Sequence, residues 1–302
     1  MPETSVFVTG GTGFAGGAVV AEILRSGRAV TALVRGKQSL AGCRTVRGDL
    51  ADIGRVRDDV SRSGAIVHLA SPRSLDRDAT VREDIQGTGE LVDAWRSGPF
   101  VYGSTTTIHG KPSSVLRPET PIDLLEWYDA GKVVNEFQVR AASGIDGRGA
   151  GISLRPTIFI GGGARSHDRQ MVGSIEEACR AGRTFVFETE AALESSGAAF
   201  LGLADFGRAV VAALEIRSAG AFPVAGGFAR WRDLIDGISR RTGTTGKYIV
   251  RADGAKGDEV RLAHSRTELD SSAFEAATGW TAQQSLDELL DVAVGAGKPA
   301  AV

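Results

Sequence analysis

A run of glycines near the start of the chain lies between two segments of different hydrophobic periodicity. Ser5–Thr9 is a short apolar run typical of a β-strand, and Gly13–Ser26 has apolar side chains at helical spacing. Glycines let the backbone turn tightly and come close to a pyrophosphate that rests on a helix N-terminus. The segment therefore predicts a strand, a loop and a helix that together bind a dinucleotide. The glycines of the loop are Gly10, Gly11, Gly13 and Gly16.

The rest of the first half continues this alternation of strand and helix patterns. Strands are predicted over Ala29–Val34, Thr45–Arg47, Ala65–Leu69, Phe100–Ser104 and Gly151–Arg155, and helices over Val81–Trp95 and Trp127–Ala142. Apolar strands that alternate with amphipathic helices are typical of an α/β fold with a doubly wound parallel sheet. Residues 1–160 are therefore predicted to form a Rossmann domain that binds a dinucleotide.

The pattern changes after Gly161, where a loop and a polar stretch precede shorter elements. Residues 161–302 are predicted to form mainly a smaller mixed α/β lobe that binds the substrate and is interleaved with the first domain. Helices are predicted over Met171–Ala181, Asp205–Arg217, Trp231–Thr242 and Ser285–Ala293, and strands over Thr184–Phe187, Ala221–Val224 and Tyr248–Arg251.

Composition excludes several classes of function. The chain has 302 residues and a net charge of −2, so it has no broad basic surface for nucleic acid. Neither a basic-then-apolar leader nor an apolar run of membrane-spanning length is evident, which favours a cytoplasmic protein without a membrane partner. The two cysteines, Cys43 and Cys179, match no metal-binding spacing, so no metal is expected.

The second strand indicates which dinucleotide is bound. An acidic residue about 20 residues after the glycine loop would hold the ribose 2′-hydroxyl of NAD. Here the strand is followed by Arg35 and Lys37, and an arginine at this place suits a 2′-phosphate. NADP(H) is therefore expected rather than NAD(H), although both cations could also be ordinary surface residues. Asp49 could accept a hydrogen bond from the adenine amino group.

Tyr128 and Lys132 lie four residues apart on a predicted helix and share one face. An ammonium beside a phenol favours the phenolate and lowers the phenol pKa from its usual value of about 10. At ~4 Å and an effective dielectric of ~20 the attraction is ~4 kcal/mol. The pair predicts a tyrosine that exchanges a proton near neutral pH. Neither Tyr102 nor Tyr248 has a lysine four residues further on.

Taken together, these features resemble the extended branch of the short-chain dehydrogenase/reductase superfamily, which contains nucleotide-sugar epimerases and dehydratases. The order is a glycine loop, a hydroxyl cluster after the fifth strand, and a tyrosine–lysine pair on a helix. Five further segments resemble the branch: Thr9–Gly16, Asp84–Thr88, Ser104–Gly110, Leu154–Pro156 and Gly279–Trp280. The resemblance covers most of the chain and implies a homodimer, as is usual for the family.

The resemblance also implies roles for individual residues. Tyr128 would be the general acid or base, Lys132 would hold the nicotinamide ribose, and Thr105, or Thr106 in an alternative register, would orient a substrate carbonyl. The residues implied to contact the cofactor are Gly10, Thr12, Gly13, Phe14, Ala15, Gly16, Arg35, Asp49, Leu50, Leu69, Ala70, Ser71, Ser104, Tyr128, Lys132, Pro156, Thr157 and Ile158.

Several positions depart from the pattern of the branch. Ile158 replaces an asparagine that helps to hold a nucleotide-sugar, and the arginine expected shortly before the Asp205 helix is absent. Arg165, His167 and Arg169 could replace these diphosphate contacts, although a solvated loop is the other interpretation. Asp84 occupies the place of another asparagine. Gly131, which precedes Lys132, is unusual because glycine costs ~1 kcal/mol inside a helix.

Three hypotheses of function follow. The first is an NADPH-dependent ketoreductase that acts on a 4-keto sugar nucleotide or another bulky ketone. The second is an NAD-dependent sugar-nucleotide epimerase or dehydratase, which Arg35 and Ile158 disfavour. The third is a dinucleotide-sensing protein that kept the fold and lost the chemistry, which the retained Tyr128–Lys132 pair disfavours.

Overall fold

The computed structural model of the chain describes residues 5–72, 76–110, 114–161, 169–262 and 265–295. Two of the residues proposed above to replace diphosphate contacts, Arg165 and His167, lie outside these ranges, and Arg169 begins a helix. The strands are β1 (Val6–Thr9), β2 (Val30–Val34), β3 (Arg44–Arg47), β4 (Ala65–His68), β5 (Gly98–Gly103), β6 (Val115–Leu116), β7 (Arg148–Pro156), β8 (Ile158–Ile160), β9 (Thr184–Phe187), β10 (Gly197–Gly202), β11 (Gly220–Val224), β12 (Gly227–Arg230), β13 (Lys247–Val250), β14 (Val260–Arg261) and β15 (Arg266–Leu269).

Helices alternate with these strands as the periodicity predicts. They are α1 (Phe14–Arg25), α2 (Arg57–Ser61), α3 (Arg77–Ala79), α4 (Gly87–Ala94), α5 (Trp127–Ala141), α6 (Arg169–Arg180), α7 (Glu190–Ser195), α8 (Leu203–Ala213), α9 (Trp231–Thr242), α10 (Ser272–Thr278) and α11 (Leu286–Gly295). Short 3-10 segments cover Leu50–Val56 and Thr107–His109. A π-helical segment, Thr80–Gln86, joins α3 to α4, so one helical stretch runs from residue 77 to residue 94.

The large sheet has seven strands in the order β11-β7-β5-β4-β1-β2-β3, and every pairing in it is parallel. The strand order reverses between β1 and β4, and ligands bind at such a switch point, outside the carboxyl ends of the strands. The doubly wound parallel fold is therefore confirmed. The strand predicted over Ala221–Val224 for the smaller lobe instead lies at the edge of the large sheet, beside β7.

Both faces of the large sheet are buried, as the continuous apolar strands predict. Val6 and Val8 of β1 belong to one core cluster, together with side chains of α1 and α8. Phe7 points to the opposite face and joins a second cluster beneath α4, which includes Leu91 and Trp95. Alternate residues of a strand point to opposite faces, so β1 supplies both cores and is fixed between them.

The smaller lobe has its own core and is tied to the sheet by α8. A five-stranded sheet (β12-β10-β15-β6, with β8 beside β10) and a three-stranded sheet (β13-β9-β14) make up its β structure. Phe185 and Trp231 belong to its buried cluster. Gly207 of α8 lies so close to α1 that a Cβ there would meet Glu22 Cγ at 2.5 Å. The domain division proposed at residue 160 stays a prediction.

Asp205, at the start of α8, fixes the segment that carries Gly279–Trp280. Its carboxylate accepts hydrogen bonds from the backbone N–H groups of Gln283 and Gln284, and its carbonyl accepts one from Trp280 Nε1. Among the residues that the structure describes, no helix combines the length and the apolar character needed to cross a bilayer.

Candidate active site

A cavity of about 560 Å³ opens at the carboxyl ends of the central strands, at the switch point of the sheet. Most of the residues predicted to contact a cofactor line it, and they come from seven separate parts of the chain. Those on the lining are Gly10, Thr12, Gly13, Phe14, Ala15, Gly16, Arg35, Asp49, Leu50, Leu69, Ala70, Ser71, Ser104, Tyr128, Lys132 and Pro156. The fold therefore brings the glycine loop and the tyrosine–lysine pair to one cavity.

The glycine loop is shaped by contacts that no side chain would allow. Gly10 has a φ of +73°, and a Cβ there would meet Ala70 N at 2.5 Å. A Cβ on Gly16 would overlap the carbonyl oxygen of Gly10, and that same oxygen accepts a hydrogen bond from Gly13 N at 2.9 Å. Helix α1 begins after Gly13 with no capping side chain and no acidic residue in its first turn. Free N–H groups in a close glycine cradle fit the pyrophosphate of a dinucleotide.

Arg35 follows β2 at the edge of the cavity and is 77% exposed. Its Nε lies 3.9 Å from Asp49 Oδ2, and an ion pair this long and exposed contributes little. Asp49 Oδ1 also accepts a hydrogen bond from Ala51 N and so caps the 3-10 segment that follows. Lys37 does not line the cavity, but its carbonyl is held by Arg47 Nη2 at 3.0 Å. The Arg35 guanidinium remains available to a phosphate.

Lys132 lies beneath Tyr128 in the wall of the cavity and is only 2% exposed. Its Nζ is 5.5 Å from the centre of the Tyr128 ring and donates a hydrogen bond to the Gly103 carbonyl at 2.9 Å. Burial opposes the ammonium charge, but Tyr102, Tyr128 and Asp84 outweigh it, so the pKa of Lys132 lies above its ordinary value. The helical spacing therefore places a fixed positive charge against the Tyr128 ring.

A buried polar network supports Lys132 from below. Asn135 Nδ2 donates hydrogen bonds to Asp84 Oδ1 and to the Tyr102 hydroxyl, each at 3.1 Å. The Lys132 Nζ lies 4.9 Å from the centre of the Tyr102 ring. Burial raises the pKa of Tyr102, and the Asp84 carboxylate raises it further. The network joins β5, the π-helical segment and α5, and no local sequence pattern predicts it.

Gly131 is explained by the same packing. A Cβ at this position would lie 2.8 Å from Thr80 Cγ2 and 3.1 Å from Asp84 Oδ2. Gly131 lowers the helix propensity of α5, but because it has no side chain it allows α5 to approach the π-helical segment closely. A larger residue would push Asp84 away from the helix that carries Lys132.

The hydroxyl cluster after β5 divides into groups with different partners. Ser104 lines the cavity, and its Oγ is buried without a partner in the described part of the chain. Thr105 lies outside the lining, and its Oγ1 accepts a hydrogen bond from Thr107 N and lies 3.1 Å from Thr107 Oγ1. Thr106 Oγ1 donates to the Pro156 carbonyl at 3.3 Å. The role of Thr105 toward a substrate carbonyl stays a prediction.

Thr107 connects this cluster to the helix of the tyrosine. Its Oγ1 donates a hydrogen bond of 2.5 Å to Oδ1 of Asp129, which is 3% exposed. Because Asp129 follows Tyr128 directly, the hydrogen bond fixes the start of α5 relative to the loop that carries Thr105. The spacing of Tyr128 and Lys132 gave no indication of this link.

Two predicted residues after β7 do not reach the cavity. Thr157 Oγ1 donates to the Ala199 carbonyl at 3.0 Å, and Ile158 packs against the core of the smaller lobe. Phe159 and Phe206 line the cavity instead, with ring centres 5.1 Å apart. Neither aromatic was predicted, because Phe206 is brought to the cavity by the packing of α8 on α1.

His68 proves to be a packed histidine, as its place within the fourth strand indicates. Its Nδ1 is hydrogen-bonded to Thr9 Oγ1 at 2.6 Å and its Nε2 to Thr88 Oγ1 at 2.9 Å. Burial, with help from the charge of Lys132, lowers the pKa of His68 to about 3. The neutral ring therefore joins β1 to α4 beneath the cavity and does not serve as an acid near neutral pH.

Comparison with known proteins identifies the family. The NAD dependent epimerase/dehydratase family matches residues 6–223, which is most of the chain. The protein belongs to this family. The extended branch of the short-chain dehydrogenase/reductase superfamily, suspected from the motifs, is thereby confirmed, and an enzyme of the NAD(P)-dependent oxidoreductase type is supported.

Curated relatives match over part of their length. A 2-alkyl-3-oxoalkanoate reductase from Stenotrophomonas maltophilia is 30% identical over 192 residues, which are 59% of this chain and 56% of the relative. A dTDP-glucose 4,6-dehydratase from Streptomyces antibioticus is 33% identical over 157 residues, which are 44% of this chain and 47% of the relative. The matched part of the chain thus spans about half the length of these proteins.

Solved structures match over nearly the whole chain at low identity. A UDP-glucose 4-epimerase from Brucella ovis in complex with NAD has a TM-score of 0.78 and 19% identity, and covers 97% of this chain and 98% of its own. A protein named MoeE5, in complex with UDP-glucose and NAD, has a TM-score of 0.75 and 22% identity, with 96% and 97% covered. These likenesses confirm the fold. The family to which the chain belongs supports a nicotinamide dinucleotide as the cofactor.

Proposed function

We propose that the protein is an NADPH-dependent ketoreductase that acts on a bulky ketone. The observation that carries the proposal is the joint position of Tyr128, Lys132 and Arg35 on one cavity. The first two residues supply a proton-donating group with a fixed charge beside it, and the third supplies an exposed guanidinium where a 2′-phosphate would lie. Neither Tyr102 nor Tyr248 has a lysine four residues further on in the sequence.

The side chains divide the work of ketone reduction. Bound NADPH would supply the hydride. Tyr128 would give its phenolic proton to the carbonyl oxygen, and Lys132 would stabilise the phenolate that remains. Thr105 would orient the carbonyl, with the Thr107–Asp129 hydrogen bond holding its loop against α5. Ser104, whose buried hydroxyl on the lining has no partner among the residues that the structure describes, would complete the polar wall.

The names of two relatives support a ketone as substrate. Proteins from Stenotrophomonas maltophilia and Shewanella oneidensis are named 2-alkyl-3-oxoalkanoate reductase. Ile158, in place of an asparagine of the sugar-nucleotide enzymes, packs on the core of the smaller lobe and offers no polar contact. A ketone with an apolar chain is therefore as suitable as a 4-keto sugar nucleotide.

The direct test is reduction of a ketone panel by the purified protein with NADPH or NADH. The panel should contain 2-alkyl-3-oxoalkanoates, simple bulky ketones and a 4-keto sugar nucleotide, and the readout is loss of the reduced cofactor's absorbance. We expect turnover with at least one ketone, faster with NADPH than with NADH. Turnover only with NADH would overturn the cofactor assignment.

A second candidate is an NAD-dependent sugar-nucleotide epimerase or dehydratase. The likeness over nearly the whole chain to a UDP-glucose 4-epimerase with NAD favours it. In that chemistry the cofactor is reduced and reoxidised within one cycle and stays bound. Release of tightly bound NAD from the denatured protein, with isomerisation of UDP-glucose, would favour this candidate. Strong NADP binding without turnover of any carbonyl would instead indicate a sensing protein.

We further propose a cytoplasmic homodimer. Trp127, Val134 and Phe137 lie on one face of α5 and are 45%, 38% and 61% exposed. A second copy of the chain would cover this apolar stripe. Light scattering after size exclusion should give a molar mass twice that of one chain. In Phe137→Asp the measured mass should fall to that of a single chain. Cell fractionation tests the cytoplasmic location.

A further inference from the structure

Asp84 is a buried carboxylate next to the catalytic pair that the proposed mechanism does not use. It is 1% exposed and lies within the π-helical segment Thr80–Gln86. Such segments are rare and frequently occur at functional sites. The family resemblance gives an asparagine at this position, so the chain carries an ionisable carboxyl group where a neutral amide would make similar hydrogen bonds.

Two donors hold the carboxylate in place from opposite sides. Asn135 Nδ2 donates to Oδ1 at 3.1 Å, and Ser71 Oγ donates to Oδ2 at 3.4 Å. Ser71 itself lines the cavity, so Asp84 lies directly behind the cavity wall. Gly131 allows α5 to approach Oδ2, since a Cβ there would be 3.1 Å away. The backbone, the glycine and both donors therefore fix the carboxylate against the helix of Lys132.

The titratable groups around Asp84 come from three elements. Lys132 of α5 lowers the pKa of Asp84, whereas burial, the larger influence, raises it. Tyr102 of β5 has a raised pKa and stays protonated, and His68 of β4 stays neutral. Lys132 is therefore a positive charge that acts on Asp84, and its Nζ also lies 5.5 Å from the centre of the Tyr128 ring.

We propose that the Asp84 carboxylate is the internal counter-ion of the Lys132 ammonium and sets the pH at which Tyr128 releases its proton. Asp84 is a positioning residue, because it acts on Tyr128 through Lys132. A negative charge behind the ammonium offsets part of its attraction for the phenolate. The phenol therefore keeps its proton to higher pH than it would with an asparagine at position 84.

This inference rests on the proposed function and deepens it. A phenol that is protonated at neutral pH can donate its proton to a carbonyl, whereas a phenolate can only accept one. Asp84 thus biases the site toward reduction of a ketone and away from oxidation of an alcohol. It would also distinguish this chain from relatives that carry the asparagine.

The experiment follows the ionisation of Tyr128 without any substrate. The chain has three tyrosines, Tyr102, Tyr128 and Tyr248, so few signals need to be assigned. Nuclear magnetic resonance of tyrosine labelled at the hydroxyl-bearing ring carbon resolves each phenol, and Tyr128→Phe assigns the signal. In Asp84→Asn we expect the Tyr128 midpoint to fall by about one pH unit.

Glu90→Gln is the matched control, because it removes one exposed carboxylate from the same helical stretch and should leave the midpoint unchanged. An Asp84→Asn midpoint that is unchanged or raised would overturn the proposal. If this variant does not fold, the nuclear magnetic resonance signal of the Asp84 carboxyl carbon in the wild-type chain tests the proposal instead. We expect the signal of an ionised carboxylate at neutral pH, and the signal of a neutral acid would overturn the proposal. Neither measurement depends on turnover, so a failure of the proposed ketone reduction remains distinguishable.

Discussion

The rim of the cavity and its floor are built by different means. The rim, which we define as the glycine loop Gly10–Gly16 with Arg35, is made of backbone that turns tightly and one exposed cation. The floor, which we define as His68, Tyr102, Lys132, Asn135 and Asp84, is made of buried side chains that hydrogen-bond across separate elements. The rim offers N–H groups and a charge to a ligand, and the floor holds the Lys132 ammonium next to the Tyr128 phenol.

Because the rim and the floor are built differently, substitutions in them should have different effects. Substitutions in the rim act through backbone overlap or loss of one ligand contact, so they should change cofactor affinity. Substitutions in the floor act through desolvated charges, whose interactions are several times stronger than at the surface. They should change proton transfer or the pH dependence of stability while the cofactor still binds.

The largest effect is expected from Tyr128→Phe, at the boundary between floor and cavity. Loss of the proton donor should reduce the turnover number about 10²- to 10⁴-fold. The affinity for NADPH, measured by fluorescence titration, should change little. Tyr248→Phe is the matched control, since that hydroxyl is bonded to Asp236 in the smaller lobe. If turnover survives in Tyr128→Phe, Tyr128 is not the proton donor, and the Lys132 charge in the floor has no phenolate to stabilise.

A pair of neighbouring glycines tests the rim. In Gly16→Ala the new Cβ would overlap the Gly10 carbonyl oxygen, and backbone cannot move aside as a side chain can. We expect NADPH affinity to fall about tenfold or more, as the loop that holds the pyrophosphate is displaced. Gly17→Ala is the control, because a Cβ there meets nothing within 4 Å. Equal affinities in the two variants would contradict the backbone account.

Arg35→Ser tests the exposed cation of the rim. Loss of a charge-assisted contact to a 2′-phosphate should weaken NADPH binding about 10- to 100-fold and leave NADH binding nearly unchanged. Arg55→Ser is the matched control, since Arg55 has the same 77% side-chain exposure and does not line the cavity. Parallel losses for both cofactors would show that Arg35 does not read the phosphate.

The smallest effect is expected from His68 in the floor, and it is a change in how the free energy of unfolding depends on pH. The folded-state pKa is about 3, below the unfolded value of about 6.5, so the unfolded chain binds the extra proton between these values. The free energy of unfolding should therefore fall by up to about 1.4 kcal/mol per pH unit as the pH drops below about 6.5.

Urea unfolding at a series of pH values measures this slope. His68→Gln should have a shallower slope below pH of about 6.5, and above it the two chains should run in parallel. Identical slopes in the acid range would mean that His68 is protonated in the folded protein and that the floor is more hydrated than its burial indicates.

Much of the rim could be predicted because its determinants are local. Gly13 and Gly16 are needed by contacts with Gly10, at most six residues away, and the strand before them and the helix after them have clear periods. Tyr128 and Lys132 were recognisable for the same reason, because a helix brings residues four apart to one face. The π-helical segment was missed, since its turn interrupts the helical period only briefly.

The floor could not be predicted because its partners are distant in the sequence. Asn135 meets Asp84 and Tyr102 across 51 and 33 residues, and no local pattern encodes such a contact. Gly131 is unfavourable as a helix residue, and only the tertiary structure shows why a glycine is needed there: α5 lies too close to Thr80 for a side chain. Phe206 reaches the cavity only because α8 packs on α1.

The sequence by itself determined the doubly wound sheet, the glycine loop and the paired phenol and ammonium, because backbone sterics and helical spacing act over a few residues. The tertiary structure decided which groups lie beneath that pair and which charge opposes the Lys132 ammonium. Burial makes the difference: a carboxylate such as Asp84 acts strongly on its neighbours only after the fold has removed water and brought it against α5.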